Sequence, residues 1–331
     1  MQEHVTLPDI YCPFPYLVNP NAELVEAHTN SWVQECGIVH NEAELERFIT
    51  SRFPWLAAYV HPTVGYEELV LVSDLISWQF LLDNMFDGPL GKQQVAQVAV
   101  NEFMSILTPD RIVEPDISKL SYPRMSLALY DVWKRIFPHG TPEWRQRFSH
   151  NMSTYIAANV WETQNRAQQK IPDTASSMRN RELTIGMWPA MDMIDVVEHL
   201  FLPSYIYECQ DFQTLLRAAA IQVVLVNDLF SQRKEAAISD CNNLVIQLQV
   251  FKYYSLQEAQ NRVGEMIREE TDLYLKTLAH LVEKYPNYAS DIQRHAVNLQ
   301  GWMRGNIDWS AETLRYNTTP IHNHIVSVVS S

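Results

Sequence analysis

Two acidic side chains stand four residues apart at the end of the apolar segment LISWQFLLDNMFDGP. Asp83 and Asp87 lie in the last turn of a helix that we expect over residues 65–87, because Gly88 and Pro89 form a stop signal. Residues four apart share one helix face, so these carboxylates repel each other and oppose the helix dipole. A hard divalent cation would relieve both effects, since it prefers carboxylate and water oxygens. The alternative is a solvated acidic helix end that binds nothing.

The helix face that carries Asp83 becomes apolar toward the helix N-terminus. Ile76 and Phe80 lie there, and Trp78 lies between them in the sequence. An apolar face beside a row of metal ligands could line a cavity, so Ile76, Trp78 and Phe80 are candidates for contact with a substrate. Packing in the protein core is the alternative for the two aromatic residues.

A second row of oxygen donors lies in IQVVLVNDLFSQRKE, near the end of another expected helix. Asn227, Ser231 and Glu235 follow one another at four-residue intervals, so amide, hydroxyl and carboxylate oxygens form one stripe. All three are hard ligands of the kind that magnesium prefers. Val223 continues the stripe as an apolar wall, and Lys234 flanks it, close to any bound anion. The alternative is a local helix irregularity with a solvated Glu235.

The composition favours an all-α protein with a substantial core. Glycine accounts for only 9 of 331 residues and strict period-two alternation never persists, so a sheet-rich fold is hard to build. A hydrophobic fraction of 47%, with 12 Phe, 15 Tyr and 9 Trp, is enough for a core and for the walls of a cavity. The net charge of −14 argues against a nucleic-acid partner, which would need a basic surface.

Cysteine spacing and local hydropathy indicate in which cellular compartment the protein is expected. The 4 cysteines form no C-x-x-C pair, so we expect neither a zinc site nor a disulfide framework. No basic segment followed by an apolar run opens the chain, and apolar stretches such as 218–226 fall short of the ~20 residues of a membrane span. We therefore expect a cytoplasmic protein without stable membrane insertion, and the sequence leaves a homodimer open.

Helical periodicity runs through the chain after a proline-rich opening. Asn21 and Asn41 are expected helix N-caps, the second supported by Glu44 three residues later. Without an internal linker, we predict an irregular arm over 1–20, one α-domain over 21–318 and a tail over 319–331. The predicted helices lie at about 21–38, 42–52, 65–87, 91–107, 123–137, 142–169, 175–185, 190–199, 212–237, 256–284 and 287–304.

With these motifs in order, the chain resembles the microbial class I terpene synthase family, in its sesquiterpene cyclase group. The first metal motif of that family is D-D-x-x-D or a variant, and the second is N-D-x-x-S-x-x-x-E. Here the first runs from Asp83 to Asp87 with Asn84 in place of the second aspartate, and the second is complete from Asn227 to Glu235. The resemblance implies that both motifs hold Mg²⁺, with Asp83 a direct ligand and the role of Asp87 left open.

Two further motifs of the family have counterparts in this chain. The family carries a diphosphate-sensing arginine in an R-x-x-T-x-G-like stretch, 46 residues before the asparagine of the second motif, and counting back from Asn227 gives Arg181 in RELTIG. An arginine–tyrosine pair near the C-terminus of the family corresponds to Arg315 and Tyr316. The resemblance implies that Arg181, Arg315 and Tyr316 bind diphosphate, whereas the residues alone leave Arg179 as an alternative to Arg181.

The resemblance also implies a fold and a mechanism. The fold is a single bundle of antiparallel helices around a deep apolar pocket, with the two metal motifs facing each other across its mouth. Three Mg²⁺ ions and closure of the helix ends accompany substrate binding. Thr184 and Ile185 lie where a helix break offers a carbonyl to the reacting carbon. Phe53, Trp302 and Trp309 are further candidates for the cavity wall, with core packing as the alternative for the tryptophans.

The implied function is a Mg²⁺-dependent terpene cyclase that ionises a prenyl diphosphate, with farnesyl diphosphate preferred, and releases diphosphate with a sesquiterpene. Geranylgeranyl diphosphate, for a diterpene synthase, and geranyl diphosphate are the alternative substrates. A chain-elongating prenyltransferase shares the fold but would carry two aspartate-rich boxes. A non-catalytic prenyl-diphosphate-binding protein is an alternative of another class, and Mg²⁺-dependent diphosphate release separates it from an enzyme.

Overall fold

The chain is described by a computed structural model over residues 6–87, 93–168, 170–237, 240, 242–316 and 326–327. Helices make up most of these residues. Within them, strands are confined to β1 (Ile10–Tyr11) and β2 (Val326–Ser327), which pair in parallel. The all-α prediction is confirmed.

The described residues form two compact units. The first, called the amino-terminal unit, comprises Val18–Gln168 and Gly186–Phe201. The second, called the carboxy-terminal unit, takes its described residues from Met1–Leu17, Gln169–Ile185 and Leu202–Ser331. The predicted boundaries of a single domain at residues 21 and 318 stay a prediction.

The amino-terminal unit is built around one apolar helix. Its helices are α1 (Ala22–Glu35), α2 (Glu42–Ser51), α3 (Phe53–Val60), α4 (Tyr66–Asp87), α5 (Gln93–Ile106), α6 (Pro123–Ile136), α7 (Pro142–Ala167) and α9 (Met187–Val197). Helix α4 packs against α1, α3, α6, α7 and α9. Because neighbours cover α4 on several sides, its apolar residues run almost all the way round and give no narrow stripe.

The carboxy-terminal unit has a second central helix. Its helices are α8 (Thr174–Thr184), α10 (Ser204–Tyr207), α11 (Gln210–Ala237), α12 (Leu244–Lys252), α13 (Leu256–Lys284) and α14 (Ala289–Glu312). Helix α11 packs along α13 and α14 and also contacts α8 and α12. Its middle part, residues 218–226, is buried and apolar except for Gln222, and it holds the polar residues of the last turns at a fixed place in the unit.

Both central helices are long and apolar enough to cross a membrane by length and composition. The expectation that every apolar stretch falls short of a span is therefore wrong for α4 and α11. Most of each apolar stretch is buried inside the protein, 72% in α4 and 83% in α11, as is usual for the core helices of globular proteins. The absence of membrane insertion stays a prediction.

An arm at the start of the chain packs on the last two helices of the carboxy-terminal unit. Ile10, Cys12 and Phe14 are buried. The backbone of Thr6 exchanges two 3.0 Å hydrogen bonds with the amide of Gln257 on α13. The predicted irregular arm is thus an ordered part of the fold from residue 6 onward.

Several helix boundaries differ from the predicted ones. Helices α3, α10 and α12 were not predicted, and α14 continues to Glu312. Pro54 and Pro189 stand inside the first turns of α3 and α9, where a missing backbone N–H costs nothing. Asn41 caps α2 as expected, accepting from the Glu44 N–H at 2.9 Å. Asn21 stands at the predicted N-cap position of α1, but its side chain makes no cap hydrogen bond.

Candidate metal and diphosphate site

Helix α11 carries the second predicted metal motif on one face. Asn227 and Glu235 are half-buried, and Ser231 between them is only 1% exposed. The three side chains follow one another at single-turn intervals, so their oxygens form a row along the last turns of the helix. This row provides one amide, one hydroxyl and one carboxylate, all of which are suitable ligands for a hard divalent cation.

The predicted diphosphate-sensing arginine lies against this row. Nη2 of Arg181, near the end of α8, donates to Oδ1 of Asn227 at 2.8 Å and to the carboxylate of Asp228 at 2.5 Å. From the other side, Nδ2 of Asn227 donates to the hydroxyl of Tyr316 at 2.8 Å. Arg181 and Tyr316, predicted from two other motifs, therefore both contact the side-chain amide of Asn227. Arg179 is exposed and bonds instead to Ser176, so the structure does not place it in this cluster.

Asp228 also belongs to this cluster, although the sequence analysis assigned it no role. Its side chain is fully buried. One carboxylate oxygen accepts from Arg181, and the other accepts from the backbone N–H of Leu244 at 2.7 Å. Asp228 thus orients the arginine and ties α11 to the start of α12. Its position directly after Asn227 in the motif was the available signal.

Negative charge accumulates around this arginine. Burial raises the pKa of Asp228, although the guanidinium of Arg181 opposes that shift. Burial also raises the pKa of Glu235 to about 7, with Asp228 and Asp240 adding to the effect and Arg181 opposing it. The region thus holds three carboxylates and one nearby guanidinium. A bound cation would favour ionised carboxylates here, so the electrostatics fit the metal that the motif implies.

Asn243 is a second residue that the sequence reasoning missed. It is completely buried and caps α12, accepting from the N–H groups of Val245 and Ile246. Its amide nitrogen points to α11, 2.8 Å from a carboxylate oxygen of Glu235. An asparagine directly before the apolar run LVIQLQVF is a cap signal that would have found both α12 and this residue.

The first predicted metal motif ends α4 in the amino-terminal unit. Asp83 is half-buried and Asn84 is exposed. Asp87 is the last residue of the helix, and its side chain lies outside the described part of the protein, as do Gly88 and Pro89. The helix end predicted from those two residues agrees with the observed end. The relative placement of the two metal motifs stays a prediction.

The apolar residues predicted beside Asp83 divide into two groups. Phe80 stacks on Phe53 with ring centroids 4.3 Å apart, and Ile76 is buried one turn earlier on the same face. Trp78 lies on a different face of α4, about 200° round the helix from both. Its indole is fully buried, donates to the carbonyl of Met125 at 2.9 Å and packs edge-on against Phe103. These contacts favour the core alternative for Trp78.

The remaining predicted residues lie in the carboxy-terminal unit. Val223, Trp302 and Trp309 are buried on α11 and α14, and Trp309 packs edge-on against Tyr316. Trp309 has no exposed surface, which favours the core alternative. Four predicted site residues remain. Three of them are half-buried, namely Lys234, Arg315 and Ile185, and Thr184 is buried.

The predicted helix break after Thr184 is present. Helix α8 ends at Thr184, and α9 begins at Met187. Between them Gly186 has a φ of +74°, in the left-handed region that favours glycine. A Cβ on Gly186 would lie 2.9 Å from the amide nitrogen of Gln79 on α4. Glycine is therefore required at this break for both backbone conformation and space.

The donor set limits how a metal could be held. Among the described residues, no group of three or more His, Cys, Asp and Glu side chains is arranged to hold a metal ion. A metal at α11 would therefore depend on the amide and hydroxyl oxygens of Asn227 and Ser231 as well as on Glu235. Such an oxygen-only set is typical of magnesium sites completed by water and substrate phosphates, and it does not resemble a zinc site.

Comparison with known proteins decides the family. The family model described as terpene synthase family 2, C-terminal metal binding, matches residues 74–272, which include both metal motifs and Arg181. The chain belongs to the terpene synthase family. As a class I terpene synthase it is a lyase that acts on prenyl diphosphates with a divalent metal.

Similar proteins span almost the whole of this terpene synthase. It is 29% identical to the pristinol synthase of Streptomyces pristinaespiralis, over 94% of this chain and 85% of that one. It is 28% identical to a Streptosporangium roseum protein named 4-epi-cubebol synthase ((2E,6E)-farnesyl diphosphate cyclizing), over 94% and 92%. The crystal structure of linalool/nerolidol synthase from Streptomyces clavuligerus superposes with a TM-score of 0.82 and 23% identity, over 91% and 99%, which shows a shared fold.

Proposed function

We propose that this terpene synthase ionises farnesyl diphosphate with three Mg²⁺ ions and cyclises the resulting carbocation to a sesquiterpene. The observation that carries the diphosphate part is the convergence of Arg181 and Tyr316 on Asn227, beside Ser231 and Glu235. Support for a C15 substrate comes from the 4-epi-cubebol synthase relative, whose name specifies farnesyl diphosphate.

The predicted metal ligands and diphosphate-binding residues have separate tasks in this proposal. Asn227, Ser231 and Glu235 would hold a metal from α11, and Asp83 would hold metal from α4. Magnesium, when bound, would neutralise charge that develops on the diphosphate oxygens as the allylic C–O bond breaks. Arg181 adds charge-assisted hydrogen bonds to the same oxygens.

Arg315 and Tyr316 would bind the diphosphate from the end of the carboxy-terminal unit, as the resemblance implies. Apolar and aromatic side chains such as Phe80 and Val223 would exclude water from the carbocation and offer it no nucleophile. No base for the final deprotonation is assigned, and the released diphosphate can accept that proton.

Substrate choice is tested by incubating the purified protein with geranyl, farnesyl and geranylgeranyl diphosphate and Mg²⁺. Diphosphate release and mass spectrometry of the extract are the readouts. We expect farnesyl diphosphate to be consumed and a cyclic C15 product to form. Preferential turnover of geranylgeranyl diphosphate would assign a diterpene synthase instead, and formation of longer prenyl diphosphates would assign a chain-elongating enzyme. Binding without diphosphate release would indicate a non-catalytic protein.

Metal-ligand variants test the two motifs. Asp83→Ala and Asn227→Ala should each nearly abolish diphosphate release, while circular dichroism shows an intact helical fold. Asp110→Ala and Asn261→Ala, two exposed residues of the same types in the same respective units, serve as matched controls and should retain activity. Normal turnover in a folded Asp83→Ala variant would remove that residue from the metal site.

Asp87→Ala should cause a milder loss than Asp83→Ala, since Asn84 shows that the latter part of the first motif departs from the usual pattern. A loss at Asp87 as large as at Asp83 would contradict this ranking.

Cytoplasmic localisation and a homodimeric state stay proposals. Cell fractionation would test the first, and light scattering of the purified protein would test the second.

A further inference from the structure

Asn243 makes more contacts than a helix cap requires. Capping of α12 uses only its carbonyl oxygen, which accepts from the N–H of Val245 at 2.9 Å and lies 3.4 Å from the N–H of Ile246. Two backbone donors around this oxygen fix which end of the amide is which. The amide nitrogen must therefore face the opposite way, toward α11.

The nitrogen of Asn243 is directed at the metal-binding face of α11. It donates to the backbone carbonyl of Asp228 at 2.8 Å and to Oε2 of Glu235 at 2.8 Å. It also lies 3.4 Å from Oγ of Ser231. An amide has two N–H donors, and the two short contacts use both. Because Asn243 is completely buried, water does not compete for these bonds.

We infer that Asn243 is a positioning residue for the metal ligand Glu235: it holds one carboxylate oxygen and leaves the other for the cation. The bond to the Asp228 carbonyl fixes Asn243 to the backbone of the ligand helix, and the cap fixes it to α12. The carboxylate of Glu235 is thus presented in one orientation before a metal arrives. This inference rests on the proposed metal-binding role of α11.

The test separates capping from positioning. Asn243→Ser keeps a good capping residue, but its short side chain cannot reach Glu235. Asn41→Ser, at the N-cap of α2 in the amino-terminal unit, is the matched control for the loss of an asparagine cap. Mn²⁺ affinity in the presence of inorganic diphosphate is measured by electron paramagnetic resonance, and the KM for Mg²⁺ is measured alongside it.

We expect Asn243→Ser to remain folded by circular dichroism and to bind Mn²⁺ roughly ten- to a hundredfold more weakly than wild type, the range typical for residues that orient metal ligands. The KM for Mg²⁺ should rise with it, and Asn41→Ser should keep wild-type affinity. An affinity within about twofold of wild type in the folded Asn243→Ser variant would overturn the inference. If the serine variant does not fold, Asn243→Thr carries the same test.

A double-mutant cycle with Glu235→Gln checks the route of the effect. If Asn243 acts through Glu235, adding Asn243→Ser to Glu235→Gln should weaken Mn²⁺ binding little further. Fully additive losses would overturn the assignment to Glu235. Wild-type protein that binds Mn²⁺ and releases diphosphate leaves the proposed function intact, whichever way the Asn243 variants behave.

Discussion

The buried pair of Asp228 and Arg181 predicts a large stability effect for a nearly isosteric substitution. In Asp228→Asn one oxygen becomes an NH2 group, yet both oxygens of the native side chain accept hydrogen bonds, from Arg181 and from the Leu244 N–H. Whichever way the new amide turns, one buried donor faces another donor. The substitution also removes the charge that compensates the guanidinium.

The magnitude follows from these contacts. A hydrogen bond to a charged group contributes about 1.5–3 kcal/mol, and a buried donor left unpaired costs about 1–3 kcal/mol. Breaking a buried ion pair from one side typically costs about 3–5 kcal/mol, which agrees with their combination. We therefore expect Asp228→Asn to lower the free energy of unfolding by about 3–5 kcal/mol and to reduce turnover, because Arg181 loses its orientation.

A matched control lies on the same helix. Asp211 in the first turn of α11 forms an exposed ion pair with Lys284, 2.6 Å between Oδ2 and Nζ. Solvent screens that pair, so Asp211→Asn should change stability far less. Urea unfolding followed by circular dichroism measures both variants against wild type. If Asp228→Asn loses no more stability than Asp211→Asn, the argument from burial and paired donors is wrong.

Three further predictions concern other parts of the protein. Arg181→Ala should lower kcat/KM by roughly a hundredfold or more, and Arg181→Lys should also be impaired because it lacks the planar fork. His28, whose pKa is raised by its hydrogen bond to Asp74, should stabilise the fold most below pH ~6.5 and lose that contribution as the pH rises from there through its raised pKa. The stability difference between wild type and His28→Gln should shrink over that interval. Gly186→Ala should lower the free energy of unfolding by about 1–3 kcal/mol because of its left-handed backbone.

Each of these predictions has a contrary outcome. An active Arg181→Ala variant beside an inactive Arg179→Ala variant would require the diphosphate contacts to be reassigned. A stability difference for His28→Gln that grows between pH 6 and 8 would reverse the assumed sign. Gly65→Ala, where a Cβ would meet only the end of the flexible Glu68 side chain, is the control for Gly186→Ala, and equal losses would contradict the backbone argument.

Composition and helical periodicity were sufficient to predict the all-α fold and most of its long helices. The short helices α3 and α12 were not predicted, and there are physical reasons for this. Helix α3 has eight residues, and Pro54 in its first turn gives the same signal as a break. Helix α12 has nine residues and too little length to show a period. In both cases packing against longer helices stabilises a segment whose own sequence signal is weak.

The site was predicted as far as motifs and spacing reach. The family's 46-residue spacing from Asn227 located Arg181, and the structure places their side chains 2.8 Å apart. Asp228 and Asn243 were missed because their importance comes from what they touch in three dimensions. Trp78 shows a further limit of the sequence argument, because residues two apart on a helix point to nearly opposite sides and only the 100° step per residue distinguishes their faces.

The packing of the arm has a consequence for the order in which the protein can be completed on the ribosome. Thr6 bonds to Gln257, 251 residues later, and the carbonyl of Phe14 accepts from Arg304, 290 residues later. At about 5–20 residues per second, the arm waits roughly 12–50 s for α13 to be synthesised. During that interval Ile10, Cys12 and Phe14 have none of their final cover on α13 and α14. A nascent chain that stalls before these helices would expose an apolar N-terminal segment to chaperones and to other copies of itself.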